Sequence, residues 1–359
     1  MRGEESPQGL MLSLKTAEQC VPEGHPIQRI KQLADAALRS IEPVLEQMYS
    51  TLGRPSIPPE RLLKASLLMA LYTVRSERLL CEQLGYNFLF RYFLDMNMVE
   101  EPFDHSSFSR NRARLLVHEV AREFFAAVLA QARGLNLLSD EHFSVDGTQI
   151  EAWASLESYR PKDPPAGGSA AGSGSGAAPG ATARLRDRYQ SSTDHEARMY
   201  RKSKSDAAQL CYLGNALMDN QHGLLADFTV GLADGFCERS QALEMLARLK
   251  RPALSVGADK AYDTAGFVAG CAVHGLEAHV AQNIKRHQRS ALNPALLDTE
   301  RYRTSQRTRK RIEQIFGWFK TVANFRKTRY RGRVLTELAA QLVATAYNLT
   351  RIAKLCPAP

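Results

Sequence analysis

Residues 254–269 read LSVGADKAYDTAGFVA, a stretch in which an apolar run leads into two aspartates. The apolar run 254–258 is typical of a buried strand, which is predicted to end at Asp259. Asp263 and Thr264 provide a helix start for AGFVAGCAVHG, and AHVAQN predicts the next strand. Strands that alternate with helices in this way indicate a β-sheet covered by helices.

The segments that precede this stretch add three more strands. Phe-Ser-Val at 143–145 predicts a short strand that ends at Asp146, and Gly147 indicates a turn. QLCYLGNALM and LLADFTVGL flank DNQHG at 219–223 and predict a β-hairpin. Further helices are predicted over 238–250, about 305–322 and 334–354. Together these elements predict an α/β fold in which a mixed sheet is flanked by helices.

The composition divides the chain into four parts. Ser56, Ser76 and Asp104 are typical helix starts and indicate an all-α region that precedes the sheet. Every residue from 164 to 181 is Gly, Ala, Ser or Pro, so this segment has too little apolar surface to offset the entropy of ordering it. A linker between independent domains is the alternative interpretation of that segment. The predicted parts are a tail over 1–25, an all-α domain over 26–138, an α/β domain over 139–160 and 194–355, and a flexible insertion over 161–193.

The charge distribution limits the class of partner. The formal net charge is +9, and residues 285–333 hold 15 Lys or Arg against three acids, so the rest of the chain carries a net charge of −3. A basic block on a slightly acidic chain predicts a surface for a polyanion, although a solvated helix face is the alternative. The sequence has no long apolar run, no secretory signal and no CxxC pair, so we expect a cytosolic protein with reduced thiols and no membrane partner.

Two aspartates follow predicted strands. Asp146 and Asp259 each stand where a strand is expected to end, and strand ends collect reactive groups at one rim of a sheet. Taken singly, each has an ordinary explanation, because aspartates are common in turns and as caps of the next element.

Glu313 lies on a predicted helix whose faces can be separated. Ile312, Ile315 and Phe316 begin the apolar stripe of this helix, and Phe319 continues it. Arg309, Glu313 and Lys320 are predicted to lie together on one flank of the stripe, within reach of a sheet edge. The alternative is an ordinary Glu–Arg pair four residues apart on the helix.

Three segments carry a resemblance to a known family. FSVDGTQIEAWAS, LSVGADKAYDTAGFVA and SQRTRKRIEQIFGWFKTVANFRKTRYRG resemble the catalytic blocks of bacterial insertion-sequence DDE transposases of family five. The similarity extends to DHSSFSRNRARL and to RKSKSDAAQLCYLGNALMDNQHGLLAD, and so spans nearly the whole chain. The resemblance implies an RNase H-like catalytic domain preceded by a helical DNA-binding region. The chain departs from the family pattern at Gln306, where a tyrosine is usual, and in a shorter segment before the Glu313 helix.

The resemblance also implies the catalytic residues. Asp146, Asp259 and Glu313 match the three carboxylates that bind two Mg²⁺ ions, for which Mn²⁺ can substitute. Arg309 and Lys320 match the basic members of the last block and are suited to binding a phosphate. Three carboxylates are enough for this chemistry, because phosphodiester transfer requires charge neutralisation at oxygen rather than a covalent nucleophile.

The basic residues predict where DNA is bound. In the run RKTRYRGR at 326–333 the candidates are Arg326, Lys327, Arg329 and Arg331. Helices around 76–92 and 104–116 could form a helix-turn-helix reader, with Arg110, Arg112 and Arg114 on the second helix. The apolar residues of the first helix are expected in the core, namely Leu79, Leu80, Leu84, Phe88 and Phe90. Trp153 and Trp318 could stack on a base, but packing is the preferred interpretation for both.

Three functions remain open from the sequence. The first is an active transposase that binds its terminal inverted repeats and target DNA as a homodimer or larger complex, in the cytoplasm at the nucleoid. The second is a decayed copy that binds DNA without cutting it. The third is a nuclease of the same fold that hydrolyses DNA but does not join strands.

Overall fold

The computed structural model describes residues 15–48, 56–117, 119–139, 141–162, 188–201, 207–249, 254–284 and 290–357. The segment 164–181 and most of the predicted tail lie outside the described residues. Where the tail is described it differs from the expectation, because Glu18–Cys20 forms a 3₁₀ helix and both Ala17 and Val21 are buried. Within the described ranges, none of the helices has the length and hydrophobicity of a membrane span.

The all-α region is confirmed in the described part of 26–138. Ser76 Oγ accepts a hydrogen bond from the Leu79 N–H at 3.1 Å, and Asp104 Oδ1 accepts from the Ser106 N–H at 2.9 Å, so two of the three predicted helix starts are caps. The helix predicted to start near Ser56 begins at Pro59 and has no side-chain cap. The helices are α1 (Pro26–Ser40), α2 (Glu42–Glu46), α3 (Pro59–Leu71), α4 (Glu77–Gln83), α5 (Phe88–Phe93), α6 (His105–Val117) and α7 (Val120–Gly134).

The predicted mixed sheet is also confirmed. The strands are β1 (His142–Glu151), β2 (Tyr159–Pro161), β3 (Tyr189–Ser191), β4 (Arg198–Tyr200), β5 (Gln209–Asp219), β6 (Leu225–Leu232), β7 (Ser255–Ala258) and β8 (Glu277–Val280). Their order in the main sheet is β4-β5-β1-β7-β8, with β6 also paired to β5. The β5–β6 hairpin is antiparallel, whereas β7 and β8 run parallel to β1.

The predicted turn at Asp146-Gly147 is wrong. β1 continues through both residues to Glu151 and pairs with β5 along this length, so Asp146 lies in the middle of the strand and not at its end. Gly147 is needed for a close approach, since a Cβ at this position would lie 2.5 Å from Oε1 of Glu238. A glycine inside a strand was therefore misinterpreted as a turn residue.

Both ends of the predicted insertion over 161–193 include residues that form β-structure. β2 pairs with β3 in a separate two-stranded sheet, in which Tyr159 is opposite Ser191. The rings of Tyr159 and Tyr189 stack with centroids 5.7 Å apart. Residues 161 and 189–193, which the prediction assigned to the insertion, therefore belong to an ordered stem.

The helices of the second half differ from the prediction at one place. They are α8 (Cys237–Ala247), α9 (Ala265–Val273), α10 (Pro294–Leu297), α11 (Glu300–Arg309), α12 (Ile312–Thr321) and α13 (Arg333–Leu355). The helix expected over 305–322 is thus two helices. Lys310 and Arg311 keep helical dihedral angles, but the Arg311 N–H bonds to the Thr308 carbonyl at 2.9 Å, which is a tighter 3₁₀ turn. The apolar stripe is confirmed, because Ile312, Ile315, Phe316 and Phe319 are buried.

The cap predicted for α9 is confirmed for one of its two residues. Thr264 Oγ1 accepts a hydrogen bond from the Phe267 N–H at 3.3 Å. The Asp263 carboxylate instead accepts from the backbone N–H groups of Asn283 at 2.7 Å and Ala291 at 2.8 Å. Asp263 therefore holds the segment after β8 against the start of α9.

The core connects the all-α region to the sheet through α13. This helix packs against α1, α3 and α7 on one side and β6 on the other. Asn348 in its interior accepts from the Leu225 N–H at 2.9 Å and donates to the Leu225 carbonyl at 2.8 Å. A second cluster lies on the opposite face of the sheet, where Phe143 and Val145 pack with residues of α8 and α9. Both faces of the sheet are covered, and one core is shared by the two predicted domains.

Candidate active site

The pairing of β1 with β7 brings two predicted catalytic residues together. Ser144 pairs with Gly257 in this parallel register, and the same register continued by two residues sets Asp146 beside Asp259. Residues opposite each other on neighbouring strands face the same side, about 5 Å apart. Both aspartates are half-buried. Continued in this way, the register puts the two carboxylates on the same face of the sheet.

The backbone at each aspartate is fixed by local hydrogen bonds. Asp259 follows β7 directly and caps a 3₁₀ helix, Lys260–Tyr262, with its Oδ1 accepting from the Ala261 N–H at 2.8 Å. Asp146 Oδ1 accepts from the Gly147 N–H at 2.8 Å. In each carboxylate, one oxygen is thus engaged by the backbone of the residues that follow it.

The helices that carry the other predicted site residues cover the same face. A Cβ at Gly257 would lie 2.9 Å from Ser305 Oγ and 3.6 Å from Arg309 Cβ, so α11 packs directly on β7 beside Asp259. α12 follows after the turn at Lys310 and Arg311 and packs on β1. Glu313 is an exposed residue in the first turn of α12.

The donor groups suit a divalent cation. Adjacent carboxylates repel each other, and hard carboxylate oxygens are the ligands that Mg²⁺ prefers. In the described parts of the chain, no three His, Cys, Asp or Glu side chains lie close enough together to hold a metal ion. The β1–β7 register thus puts Asp146 and Asp259 on one face of the sheet, but among the described residues these two and Glu313 do not form a group of three that could hold a metal ion.

Two residues of α11 lie beside this pair. Arg309 is half-buried, and its Nε is buried without a hydrogen-bond acceptor among the described residues. Gln306 donates from Nε2 to the carbonyls of His279 and of Ala258, the latter at 3.4 Å. Gln306 therefore attaches α11 to the ends of β7 and β8, next to Asp259. Lys320 is a half-buried residue in the last turn of α12.

The basic run after α12 lies along the end of β1. The Glu151 N–H donates to the Arg326 carbonyl at 2.9 Å, and the Glu151 carbonyl accepts from the Thr328 N–H at 2.8 Å. Arg326, Lys327 and Arg331 are exposed, and the exposed Arg329 donates to the Arg75 carbonyl. The segment that carries these four basic side chains therefore lies beside the end of β1 that follows Asp146.

The N-terminal candidates separate into exposed and buried residues. Arg110 and Arg114 are exposed on α6, but Arg112 is only 8% exposed and forms an ion pair with Glu77. The prediction that Arg112 binds DNA is wrong for this conformation, because its guanidinium is enclosed. Of the residues expected in the core, Leu80, Leu84 and Phe90 are buried and Leu79 is partly buried, while Phe88 is 43% exposed.

The two tryptophans have different environments. Trp318 packs against Phe319 and Tyr347, which confirms the packing interpretation. Trp153 is 48% exposed, so packing does not account for its position just after β1.

The prediction missed two polar residues beside the aspartate pair, Glu238 and Tyr262. Glu238 contacts the position of Gly147 from the opposite face, and Tyr262 is buried three residues after Asp259 in the chain. The glycine inside β1 was the signal in the sequence, because such a residue often marks the close approach of another group.

Comparison with protein families identifies the class of protein. Residues 15–114 match the family described as Transposase domain (DUF772), and residues 140–349, more than half of the chain, match the Transposase DDE domain. Neither family distinguishes family five from other insertion-sequence transposases. Among curated proteins, none matches the chain significantly.

Solved structures give weak likenesses. The chain is similar to a piggyBac transposase synaptic complex with hairpin DNA, with a TM-score of 0.43, 8% identity and coverage of 95% of this chain and 78% of that chain. It is also similar to the Mos1 strand transfer complex, with a TM-score of 0.20, 10% identity and coverage of 84% of this chain and 81% of that chain. A pre-cleavage Mos1 transpososome matches with a TM-score of 0.20, 10% identity and coverage of 92% of this chain and 97% of that chain. The assignment therefore depends on the sequence families. The chain belongs to the insertion-sequence DDE transposases, enzymes that cut DNA and transfer its strands with the help of divalent metal ions.

Proposed function

We propose that Asp146, Asp259 and Glu313 are the catalytic carboxylates with which this transposase cuts DNA at the ends of its insertion sequence. The observation that supports the proposal is the pairing of Ser144 with Gly257, because this register, continued by two residues, puts Asp146 beside Asp259 on the face that α11 covers. These three residues would hold Mg²⁺, or Mn²⁺ in its place. The bound cations supply charge neutralisation at the attacking and leaving oxygens.

The basic residues around the carboxylates bind and orient the DNA backbone. The buried Nε of Arg309, without an acceptor among the described residues, is suited to donate to a phosphate oxygen next to the aspartate pair. Lys320 adds a positive charge on the following helix. We assign the exposed residues Arg326, Lys327 and Arg331 to phosphate contacts further along the duplex. Arg329 and Arg110 are further phosphate contacts in this proposal.

Gln306 is a departure from the family pattern and so raises the question whether this enzyme is active. It replaces the tyrosine usual in the family, but its side chain donates to two strand-end carbonyls and so supports the position of α11. This supports an active enzyme over a decayed copy. Joining two transposon ends to one target requires at least two active sites, so we expect a homodimer or larger complex at the nucleoid, bound to terminal inverted repeats and target DNA.

The test is cleavage of duplex DNA that carries the inverted repeats, with Mg²⁺ or Mn²⁺. We expect Asp146→Asn, Asp259→Asn and Glu313→Gln each to lower the rate by about a thousandfold or more. Asp298→Asn is the matched control, because this aspartate is 93% exposed and its partner Arg303 is 3.8 Å away. Normal cleavage by any of the three variants would remove that residue from the site.

Strand transfer from a pre-cut DNA end distinguishes a transposase from a nuclease of the same fold. Wild-type protein should join such an end to a target duplex, whereas a nuclease would only shorten it. Salt-sensitive binding of the ends with no cleavage in either metal would identify a decayed copy.

A further inference from the structure

An additional carboxylate approaches the aspartate pair from the opposite face of the sheet. Glu238 lies in the first turn of α8, and a Cβ at Gly147 would lie 2.5 Å from its Oε1 and 2.8 Å from its Cδ. Only a residue without a side chain allows the Glu238 carboxylate to lie against the backbone of β1. Since Gly147 follows Asp146, this acid reaches the strand next to a catalytic residue.

The Tyr262 hydroxyl is a second, independent sign of a ligand at this place. Tyr262 is 1% exposed, and its ring packs against Phe267 with centroids 5.1 Å apart. Its hydroxyl is buried and has no hydrogen-bond partner among the described residues. A buried hydroxyl is normally satisfied, so a group from outside the chain is expected to accept this hydrogen bond.

Three acidic side chains act electrostatically on this hydroxyl. Burial raises the pKa of Tyr262 well above its ordinary value, and the negative charges of Glu238, Asp146 and Asp259 raise the pKa further, in that order. The hydroxyl therefore stays protonated and lies within electrostatic reach of three carboxylates. A hydrated divalent cation offsets the repulsion between these carboxylates, and its shell contains oxygen atoms that accept a hydrogen bond.

We propose that Glu238 is a fourth carboxylate of the divalent-cation site, with the Tyr262 hydroxyl donating a hydrogen bond inside that site. The inference rests on the proposed roles of Asp146 and Asp259. Magnesium retains several of its waters in proteins, so Glu238 can act on the cation through a water without direct coordination. This role accounts for the glycine inside β1 and for the buried Tyr262 hydroxyl, which has no hydrogen-bond partner among the described residues.

The test measures Mn²⁺ binding to the full chain without DNA, from the electron paramagnetic resonance signal of free Mn²⁺. We expect Glu238→Gln to weaken Mn²⁺ binding about tenfold or more, the size of effect of a group that supports metal ligands. Glu244→Gln is the matched control, an exposed glutamate on the same helix that loses the same charge and should bind Mn²⁺ normally. Asp146→Asn is the reference for a lost ligand.

Tyr262→Phe provides a second variant that keeps the buried ring and removes only the hydroxyl. We expect it to weaken Mn²⁺ binding several-fold and to raise the Mg²⁺ concentration for half-maximal DNA cleavage by the same factor. Near-ultraviolet circular dichroism checks that each variant is folded. If Glu238→Gln does not fold, Tyr262→Phe decides the inference alone.

The outcomes distinguish this inference from the proposed function. Normal Mn²⁺ binding by folded Glu238→Gln and Tyr262→Phe, with binding lost in Asp146→Asn, would overturn the fourth carboxylate and leave the three catalytic residues in place. Normal binding by Asp146→Asn, or no binding by the wild type, would contradict the proposed function and with it this inference.

Discussion

At the scale of single residues, two arginines on α6 have opposite environments. Arg110 is exposed, whereas Arg112 forms an ion pair with Glu77, and its guanidinium lies 5.4 Å from the ring centroid of Phe108 and 5.3 Å from that of Tyr330. Arg112 thereby connects α6 to α4 and to the basic run after α12. Its charge is used inside the molecule and not on a DNA surface.

Arg112→Ala should therefore destabilise the folded protein. We expect the free energy of unfolding to fall by about 2–3 kcal/mol, because Glu77 loses its partner in a largely buried place and two ring contacts are lost. Arg110→Ala should change it by less than about 0.5 kcal/mol and weaken DNA binding instead. Denaturant titration and a DNA-binding isotherm measure the two effects, and the reverse pattern would contradict this division.

His279 predicts a pH dependence of stability. Burial lowers the pKa of His279 below its usual value, against the opposing effect of the Glu277 hydrogen bond. Its folded-state pKa is depressed, so below about pH 6.5 the unfolded chain binds more protons and stability decreases as the pH falls. His279→Gln should lose this part of the pH dependence between about pH 7.5 and 5.5, and the exposed His105→Gln should keep it. Equal profiles for wild type and His279→Gln would show that another group is responsible.

At the scale of elements, the contact between α11 and β7 determines where Arg309 lies relative to Asp259. Gly257→Ala would add a methyl group 2.9 Å from Ser305 Oγ and 3.2 Å from Ser144 Oγ. We expect a loss of about 1–3 kcal/mol of stability and a larger loss of DNA cleavage, because α11 must move away from the sheet. Thermal unfolding and a cleavage assay measure the two losses.

Ser305→Ala should rescue that variant. Ser305 Oγ is buried without a hydrogen-bond partner among the described residues, so its removal costs little and makes room for the new methyl group. The double variant should recover at least half of the lost stability, with a coupling energy on the order of 0.5–3 kcal/mol. Additive effects would mean that α11 and β7 do not meet at this contact.

At the scale of the whole molecule, the shared core predicts one unfolding transition. α13 packs between the N-terminal helices and the sheet, and Trp318 of α12 lies 5.5 Å from the Tyr347 ring of α13. Trp318 fluorescence, measured in a Trp153→Phe background, should therefore change at the same denaturant concentration as the far-ultraviolet circular dichroism. Two separate midpoints would indicate that the all-α region and the sheet unfold independently.

The basic block predicts how DNA binding depends on salt. Each phosphate contact that is lost reduces the slope of log affinity against log salt by about 1. Lys327→Ala should show this reduction for any DNA sequence, because Lys327 is exposed beside the end of β1. Arg39→Ala, an exposed arginine on α1 outside the basic run, should leave the slope unchanged. An unchanged slope for Lys327→Ala would remove this residue from the DNA surface.

Local patterns were enough to predict the α/β fold, the β5–β6 hairpin, and the caps at Ser76, Asp104 and Thr264. These features depend on residues a few positions apart, whose periodicity and hydrogen bonds can be interpreted in the chain itself. Asp146, Asp259 and Glu313 were chosen from motif resemblance, and their catalytic roles remain predictions. Only the tertiary structure gives the register of β1 and β7, and this register, continued by two residues, puts Asp146 beside Asp259.

The tertiary structure also decided what each ambiguous residue contacts. Position 147 inside β1 requires a glycine because Glu238, distant in the chain, packs against it. Arg112 is buried because Glu77 and Tyr330 enclose it. The sequence by itself determined the kinds of elements and the chemical groups available. Which of these groups share one place depended on packing between distant segments, and no local periodicity records such contacts.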